Sequence, residues 1–330
     1  MNTYYVGWWN VENLFDVQNS PDRPAWLQNS LNKELEGWTE DVLDRKTQQL
    51  SKIISQMNNG QGPDILGVCE IENRNVLDRL INKLHTNLSN RKYAAAHHDM
   101  SDERGIDIAF IYDEQKFEPQ EQFSRVILKR NATRDLFQVN FRNKDNWEKI
   151  VLIGNHWPAR SGNEMITEPY RIMAAETLSY WLERIPIKME DENIPILVMG
   201  DFNDEPFNRS LTQYALCTNC KPRVLKSNNP ALFNPMYKFL GEGKGTIYYS
   251  QSPNVFDQFM VNKNLLNNAN TFHLAENDER NYDVNIETFD EMKTDEDTIA
   301  PLRFGRPSSP SSFNENGFSD HYPISIRING

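Results

Sequence analysis

Apolar residues in this chain come in short runs that stop abruptly at polar ones, and that rhythm predicts most of its elements. Residues 4–10 read as a first strand, ending in Asn10-Val11-Glu12-Asn13. A polar, proline-containing loop follows. From Thr39 the spacing turns helical, with Val42, Leu43, Leu50, Ile53, Ile54 and Met57 along one face and Thr39 placed to cap it. Gly60-Gln61-Gly62-Pro63 stops that helix. Residues 64–69 form a second buried strand that delivers Glu70, and a helix over about 75–88 follows. Strands are expected over 106–112, 124–128 and 136–141, with residues 143–146 as the hairpin turn into a strand over 149–154. That strand runs into Asn155-His156-Trp157-Pro158-Ala159-Arg160. A helix over 170–184 leads to the apolar run Ile196-Leu197-Val198-Met199, which ends at Gly200-Asp201-Phe202-Asn203. A strand over 256–261 carries Asp257, and Ser319-Asp320-His321 enters the last strand. Residues from about 264 to 316 show no period and read as one long, loop-rich excursion. Strands outnumber helices, and no repeat or linker divides the chain. A single sheet-rich α+β or layered α/β domain over 1–330 is expected.

Composition adds limits to this picture. Hydrophobic residues make up 38% of the 330, with 7 Trp, 17 Phe and 12 Tyr, enough for a sizeable core. A net charge of −12 argues against binding that depends on a basic face tracking a nucleic-acid backbone. It leaves a nucleic-acid substrate open, because a bound divalent cation inverts the local field. No stretch reads as a signal peptide or a membrane span, so a cytoplasmic monomer without an integral membrane segment is expected, with export left open. Cys217 and Cys220 form a lone C-x-x-C without the second pair of a zinc ribbon. They are incidental, or a single bridge in an exported protein.

The chemistry gathers where the runs end. Asn10 and Glu12, Glu70, His156, Asp201 and Asn203, Asp257, and Asp320 with His321 each sit at such an end. Singly these are turn residues or satisfied polar groups. Together they converge, because strand ends of packed sheets meet at one rim, and carboxylates gathered there call for a hard cation. Oxygen donors without cysteine favour Mg²⁺ or Mn²⁺ over Zn²⁺.

The ordered set Trp9-Asn10-Val11-Glu12-Asn13, the run into Glu70, Asn155-His156, Gly200-Asp201-Phe202-Asn203, Phe256-Asp257-Gln258-Phe259 and Ser319-Asp320-His321-Tyr322-Pro323 resembles the endonuclease/exonuclease/phosphatase superfamily, over about residues 4–328. Residues 10–16 also resemble an unassigned bacterial branch of it. The resemblance implies a deoxyribonuclease I-like four-layer α/β sandwich, two mainly antiparallel sheets face to face with helices outside. It implies Glu70 as principal metal ligand, with Asn10, Glu12 and Asp320 as supplementary or outer ligands. Asp201 would orient or deprotonate the attacking water, Asn203 would hold the scissile phosphate, and His156 would contact it. His321 would contact a phosphoryl oxygen or act as acid/base, with Asp257 fixing its tautomer. Arg104 and Asp107 match a stretch where the family places substrate contacts, and Arg160 stands where it can pair with a substrate anion. Glu72 is expected to face solvent, Arg171 to be structural, and Trp8 and Trp9 to divide between core and interface. The implied reaction is Mg²⁺-dependent phosphodiester hydrolysis on DNA or a small or lipid phosphodiester, with nuclease activity as the leading reading. A phosphatase or phosphodiesterase acting on a lipid headgroup, inositol phosphate or nucleotide is the alternative, and a non-catalytic module that keeps the fold is a second one. A lipid substrate would call for an exposed apolar hairpin, for which residues 231–237 are the nearest match.

Overall fold

A computed structural model of the protein describes residues 2–129, 132–249, 252–276, 281–294, 299–305 and 313–330. In chain order the principal elements are β1 (Thr3–Leu14), α1 (Ala25–Leu31), α2 (Glu40–Gly60), β2 (Ile65–Ile71), α3 (Arg74–Asn87), β3 (Tyr93–His97), β4 (Asp107–Asp113), β5 (Phe117–Arg125), β6 (Leu136–Asn143), β7 (Lys149–His156), α4 (Glu164–Met189) and β8 (Ile196–Asp201). They continue with β9 (Cys217–Thr218), α5 (Lys221–Leu225), β10 (Leu232–Phe233), β11 (Ile247–Tyr249), β12 (Ser252–Asn254), β13 (Asp257–Val261), α6 (Lys263–Leu266), β14 (His273–Leu274), β15 (Val284–Ile286) and β16 (Ile324–Asn329).

Two seven-stranded mixed sheets carry the molecule, with helices around them. The first runs β14-β16-β1-β2-β4-β3, with β15 also on β16; the second runs β5-β6-β7-β8-β13-β10-β9. The apolar runs are continuous because both faces of the central strands are covered. In β8, Leu197 and Met199 join the core that also holds Trp8, Val68 and Phe110, while Ile196 and Val198 join Ala174, Leu178 and Leu182 of α4. Close approach between the sheets depends on glycine. A Cβ on Gly67 would lie 2.5 Å from the Trp8 ring and 3.0 Å from Met199 Sδ. Trp8 therefore lies flat in the space that Gly67 leaves, and both it and Trp9 are fully buried, so neither is interfacial.

Thr39 caps α2 as expected, accepting the Val42 N–H, and Asn73 caps α3 in the same way. Three expectations shift. The strand expected at 124–128 lies earlier, at Phe117–Arg125, because this edge strand exposes most of its side chains and leaves no apolar run to read. Helix α4 begins at Glu164, where Asn163 caps it, and its 26 residues enclose Pro169 and Pro186 near the two ends. The stretch 231–237 packs inward, with Leu232, Phe233 and Met236 all buried, so it is no exposed apolar hairpin. Cys217 is buried, Cys220 is exposed, and both are free thiols. Among the described residues no helix is long and apolar enough to cross a membrane.

Candidate active site

The topology explains why the polar strand ends meet. β1 is parallel to β2, and β7 is parallel to β8, so the carboxyl ends of all four strands point to one rim. β13 and β16 run antiparallel to them and enter at that rim. Register then places Asp201 opposite both His156 and Asp257. The first sheet supplies Asn10, Glu70, Asp320 and His321, and the second supplies His156, Asp201 and Asp257. Four residues there hold left-handed backbone: Glu12 (φ 53°), Asn13 (51°), Glu70 (66°) and Asn203 (50°). Such angles are costly for residues other than glycine and concentrate at functional sites. They let each strand end abruptly and turn its last side chains into the cleft.

His321 Nδ1 lies 2.6 Å from Asp257 Oδ2. Asp257 is completely buried, and its other oxygen accepts the Trp8 indole N–H at 3.1 Å. The pair is therefore fixed from behind by the core. Burial works against charge on His321, but Asp257 and Asp201 outweigh it and raise its pKa well above the ordinary histidine value. Asp201 Oδ2 is the centre of the group. It accepts the Asn10 amide N–H at 3.1 Å, and it lies 3.7 Å from His156 Nε2 and 3.9 Å from His321 Nε2. Both imidazole distances exceed hydrogen-bond range, so neither ring spends its Nε2 on this carboxylate. Burial first, and then Asp257, push the Asp201 pKa up to about 7. His156 is held neutral, its pKa lowered by burial and then by Arg134, Arg104 and His321, and its buried Nδ1 has no hydrogen-bond partner among the described residues.

Opposite this group stands Glu70. Its Oε2 accepts the Asn13 N–H at 2.8 Å, while Oε1 makes no hydrogen bond among the described residues and lies 3.7 Å from His156 Nε2 and 3.9 Å from Arg104 Nη1. Burial alone would raise its pKa; Arg104, the Asn13 N–H, His321 and Arg134 reverse that and keep it ionised. Asp320, one-third exposed on its side chain, is raised to about 6, by burial and then by the charges of Glu12 and Glu70. Hard oxygen donors with an unengaged carboxylate oxygen, crowded by a second carboxylate that repels it, fit a divalent cation of the Mg²⁺ or Mn²⁺ type.

Glu12 is placed differently. Its Oε1 accepts Arg303 Nε at 2.8 Å and Nη2 at 2.6 Å, and its Oε2 accepts the Phe304 and Gly305 N–H groups at 3.1 and 3.2 Å. Four donors fill the four lone-pair directions a carboxylate has. Glu12 anchors the segment 300–305 at the edge of the site. Arg306, next in the chain after Gly305, lies outside the described residues.

The remaining residues separate clearly. Asn203 Nδ2 donates to Trp157 O at 3.0 Å, and its carbonyl accepts Arg160 Nε at 2.7 Å. Arg160 also binds Asp204, Asn208 and Glu164, at 2.9, 2.9 and 3.0 Å, so its guanidinium is spent on shaping the turn. Arg171 is buried and pairs with Asp204, a structural role. Arg104, 41% exposed on its side chain, donates to Asn13 Oδ1 and faces the rim. Asp107 starts β4 at the same rim, yet its carboxylate turns to His97 Nε2 at 3.0 Å and the Met100 N–H at 2.9 Å, away from the others. Glu72 is buried rather than solvent-facing, gripped by Arg23 at 2.5 and 2.8 Å.

Sequence reasoning passed over two buried cations here. Arg134 donates to Asp102 and to Trp157 O, and its charge acts on His156 and Glu70. Lys46 donates to Phe318 O at 2.6 Å with its ammonium 5.0 Å from the Phe304 ring. Burial lowers its pKa to about 8 against the pull of Glu12, Asp320 and Glu70. Lys46 lay within reach of the sequence, because it continues the apolar stripe Leu43, Leu50, Ile53, Met57 at helical spacing. Arg134 has no such signal.

With this geometry in place, the chain can be set beside known proteins. The profile of the endonuclease/exonuclease/phosphatase family matches residues 5–330. No curated protein sequence matches. Among solved structures, a mannosyl-6-phosphatase of Bacteroides thetaiotaomicron VPI-5482 is similar at 16% identity and a TM-score of 0.55, over 99% of this chain and 100% of that one. The human Nocturnin catalytic domain with bound sulfate is similar at 17% identity and a TM-score of 0.53, over 99% of this chain and 94% of that one. A humanized D. rerio TDP2 is similar at 13% identity and a TM-score of 0.57, over 99% of both. At these identities the structural likeness establishes the shared deoxyribonuclease I-like fold. The family profile spans nearly the whole chain, and the chain belongs to the endonuclease/exonuclease/phosphatase family of metal-dependent phosphoester hydrolases.

Proposed function

We propose, with membership of that family as the premise, that the chain hydrolyses a phosphodiester with Mg²⁺ as its cation, in the manner of a nuclease. One observation carries the reading. Asp201 Oδ2 is held by Asn10 and faces two imidazole Nε2 atoms, with the unengaged Oε1 of Glu70 across from one of them. Glu70 would hold the cation with Asp320 and Asn10, and a cation held there would supply charge to offset a phosphoryl oxygen and the leaving group. Asp201, with a pKa near neutrality and its Oδ1 fixed by the Asn203 N–H at 3.0 Å, takes the proton of the attacking water. His321, kept protonated by Asp257, donates through Nε2 to a phosphoryl oxygen, and neutral His156 donates to another. Asn203 uses the second N–H of its amide in the same way. Losing one such donor typically costs ~10²–10³ in rate. Arg104 meets the substrate at the rim, whereas Arg160 positions Asn203 and Asp107 is occupied by His97 and the Met100 N–H, away from the reacting groups.

The test is hydrolysis of bis(4-nitrophenyl) phosphate, 4-nitrophenyl phosphate and plasmid DNA, each with Mg²⁺, Mn²⁺ or EDTA. Mg²⁺-dependent diester cleavage that disappears in Asp201→Ala is expected. Hydrolysis of the monoester alone would overturn the diester reading. Turnover in EDTA, or an Asp201→Ala variant as active as the parent, would overturn the assigned chemistry.

A further inference from the structure

Helix α2 turns an apolar stripe to the core, Leu43, Leu50, Ile53 and Met57, and Lys46 stands among them completely buried. A buried ammonium costs stability unless hydrogen bonds and opposite charge offset the lost water. Here the offsets all come from one direction. Nζ donates to Phe318 O at 2.6 Å, lies 5.0 Å from the Phe304 ring, and is near enough to Glu12, Asp320 and Glu70 for their charges to act on it. The ammonium thus backs the carboxylate side of the site, and its acceptor comes just before Ser319-Asp320-His321 in the chain. A methionine would fill much the same space without burying a charge, so packing alone does not explain a lysine here.

The acceptor matters because residues 317–323 form the irregular entry to β16, where an isolated bridge between Ile247 and His321 replaces a strand ladder. Side chains from elsewhere hold this backbone. The Trp9 indole donates to His321 O at 2.8 Å, and Ser319 Oγ donates to Asn10 O at 2.7 Å and accepts the His321 N–H at 3.1 Å. Those anchors belong to β1 or to the stretch itself. Lys46 adds one from α2, on the opposite side of Asp320 in sequence. We infer that Lys46 is a positioning residue for Asp320 and His321: its ammonium fixes the backbone just before them and so sets where both side chains stand relative to Glu70 and Asp201. The inference rests on the reading of Asp320 as a cation-holding residue given above, and adds the group that keeps it in place. A positive charge behind the site also repels a bound cation, so losing the charge and losing the positioning would move metal affinity in opposite directions.

The experiment uses Lys46→Met, which removes the donor and keeps the stem. Mn²⁺ titration followed by electron paramagnetic resonance should show binding about 10-fold weaker. At saturating Mg²⁺, kcat for bis(4-nitrophenyl) phosphate should fall about 10- to 100-fold with KM within about 2-fold of the parent. Asp320→Asn should weaken Mn²⁺ by itself, and Lys46→Met added to it should weaken it no further, because both act through one residue. Mn²⁺ held as tightly or more tightly by Lys46→Met, or a full further loss in the Asp320→Asn background, overturns the inference. Lys46→Gln keeps an N–H donor without the charge and stays testable should Lys46→Met not fold. It should bind Mn²⁺ within about 3-fold of the parent, and a loss of about 10-fold or more there also overturns the inference. The proton resonance of the His321 Nδ1–H that Asp257 holds reads the same displacement in EDTA, without metal or turnover. It should shift in Lys46→Met and return toward the parent position in Lys46→Gln; an unmoved resonance in Lys46→Met overturns the inference. A shifted resonance in a chain that binds no Mn²⁺ and cleaves no ester supports the positioning role and overturns the metal-dependent reading instead.

Discussion

Glu12→Gln separates an anchor from a metal ligand. Glutamine keeps the shape of the side chain but replaces two lone-pair sites with an N–H₂ group, so two of the four present donors lose their acceptor. If the amide oxygen stays with the Phe304 and Gly305 N–H groups, which are buried, the N–H₂ group faces the Arg303 guanidinium. Arg303 can turn toward water because 53% of its side chain is already exposed, which discounts the lost ion pair. What remains is the loss of two charge-assisted hydrogen bonds in a half-buried setting, about 2 kcal/mol. For a chain of 330 residues, with an unfolding entropy of about 0.7 kcal/mol/K, that lowers Tm by about 3 °C. Metal affinity should change little, within about 5-fold, because only a through-space charge is lost. Glu70→Gln should weaken the metal on the order of 100-fold or more, since its charge and an unengaged oxygen are both removed. Differential scanning fluorimetry and Mn²⁺ titration followed by electron paramagnetic resonance read the two quantities. Glu12→Gln with an unchanged Tm and a metal loss as large as that of Glu70→Gln would refute the anchor assignment.

Three further outcomes are expected. Asp257→Asn should cut kcat by about 10²–10⁴, because the amide cannot sustain the charged His321. Activity that needs protonated His321 is present at low pH and lost as pH rises through its raised pKa, so the descending alkaline limb should shift to lower pH in this variant; a pH–rate profile with an unmoved limb counts against the role. Gly67→Ala should cost about 1–3 kcal/mol by overpacking Trp8, measured by urea unfolding. It should also lower kcat because Trp8 steadies Asp257, and a normal kcat at reduced stability would show the indole to be dispensable. Asn203→Gly should match or exceed the parent in Tm, since the residue sits at φ 50°, yet lose ~10²–10³ in kcat. A stability loss above about 1 kcal/mol would show that the Asn203 amide bond to Trp157 outweighs the backbone strain.

The sheets and the meeting of polar strand ends at one rim were legible because the apolar runs are buried on both faces and break off at single polar residues. Asp201 after Met199-Gly200 and Glu70 after Val68-Cys69 could be read as strand-end groups for that reason. The edge strand β5 could not, since it buries too few side chains to leave a period, nor could β9, β10 and β14, which at two residues are too short to show one. Glu12 and Asp107 show a different limit. Both lie at the right end of the right strand, but the direction of a carboxylate depends on partners distant in sequence, Arg303 for Glu12 and His97 for Asp107. Arg134 was invisible for the same reason, its neighbours Asp102 and Trp157 being brought to it only by packing of the two sheets.

The division of the site between two sheets makes the thickness of the sandwich a chemical variable. In the proposed mechanism the cation-holding half would hang from β1, β2 and the entry to β16, and the water-activating half from β7, β8 and β13. The interior, with the His321–Asp257 and Asn10–Asp201 hydrogen bonds, sets the separation of the halves. Trp8 spans that interior, lying against Gly67 of its own sheet and hydrogen-bonded to Asp257 of the other. Residues that never meet solvent thus act as a spacer between the two halves of the site.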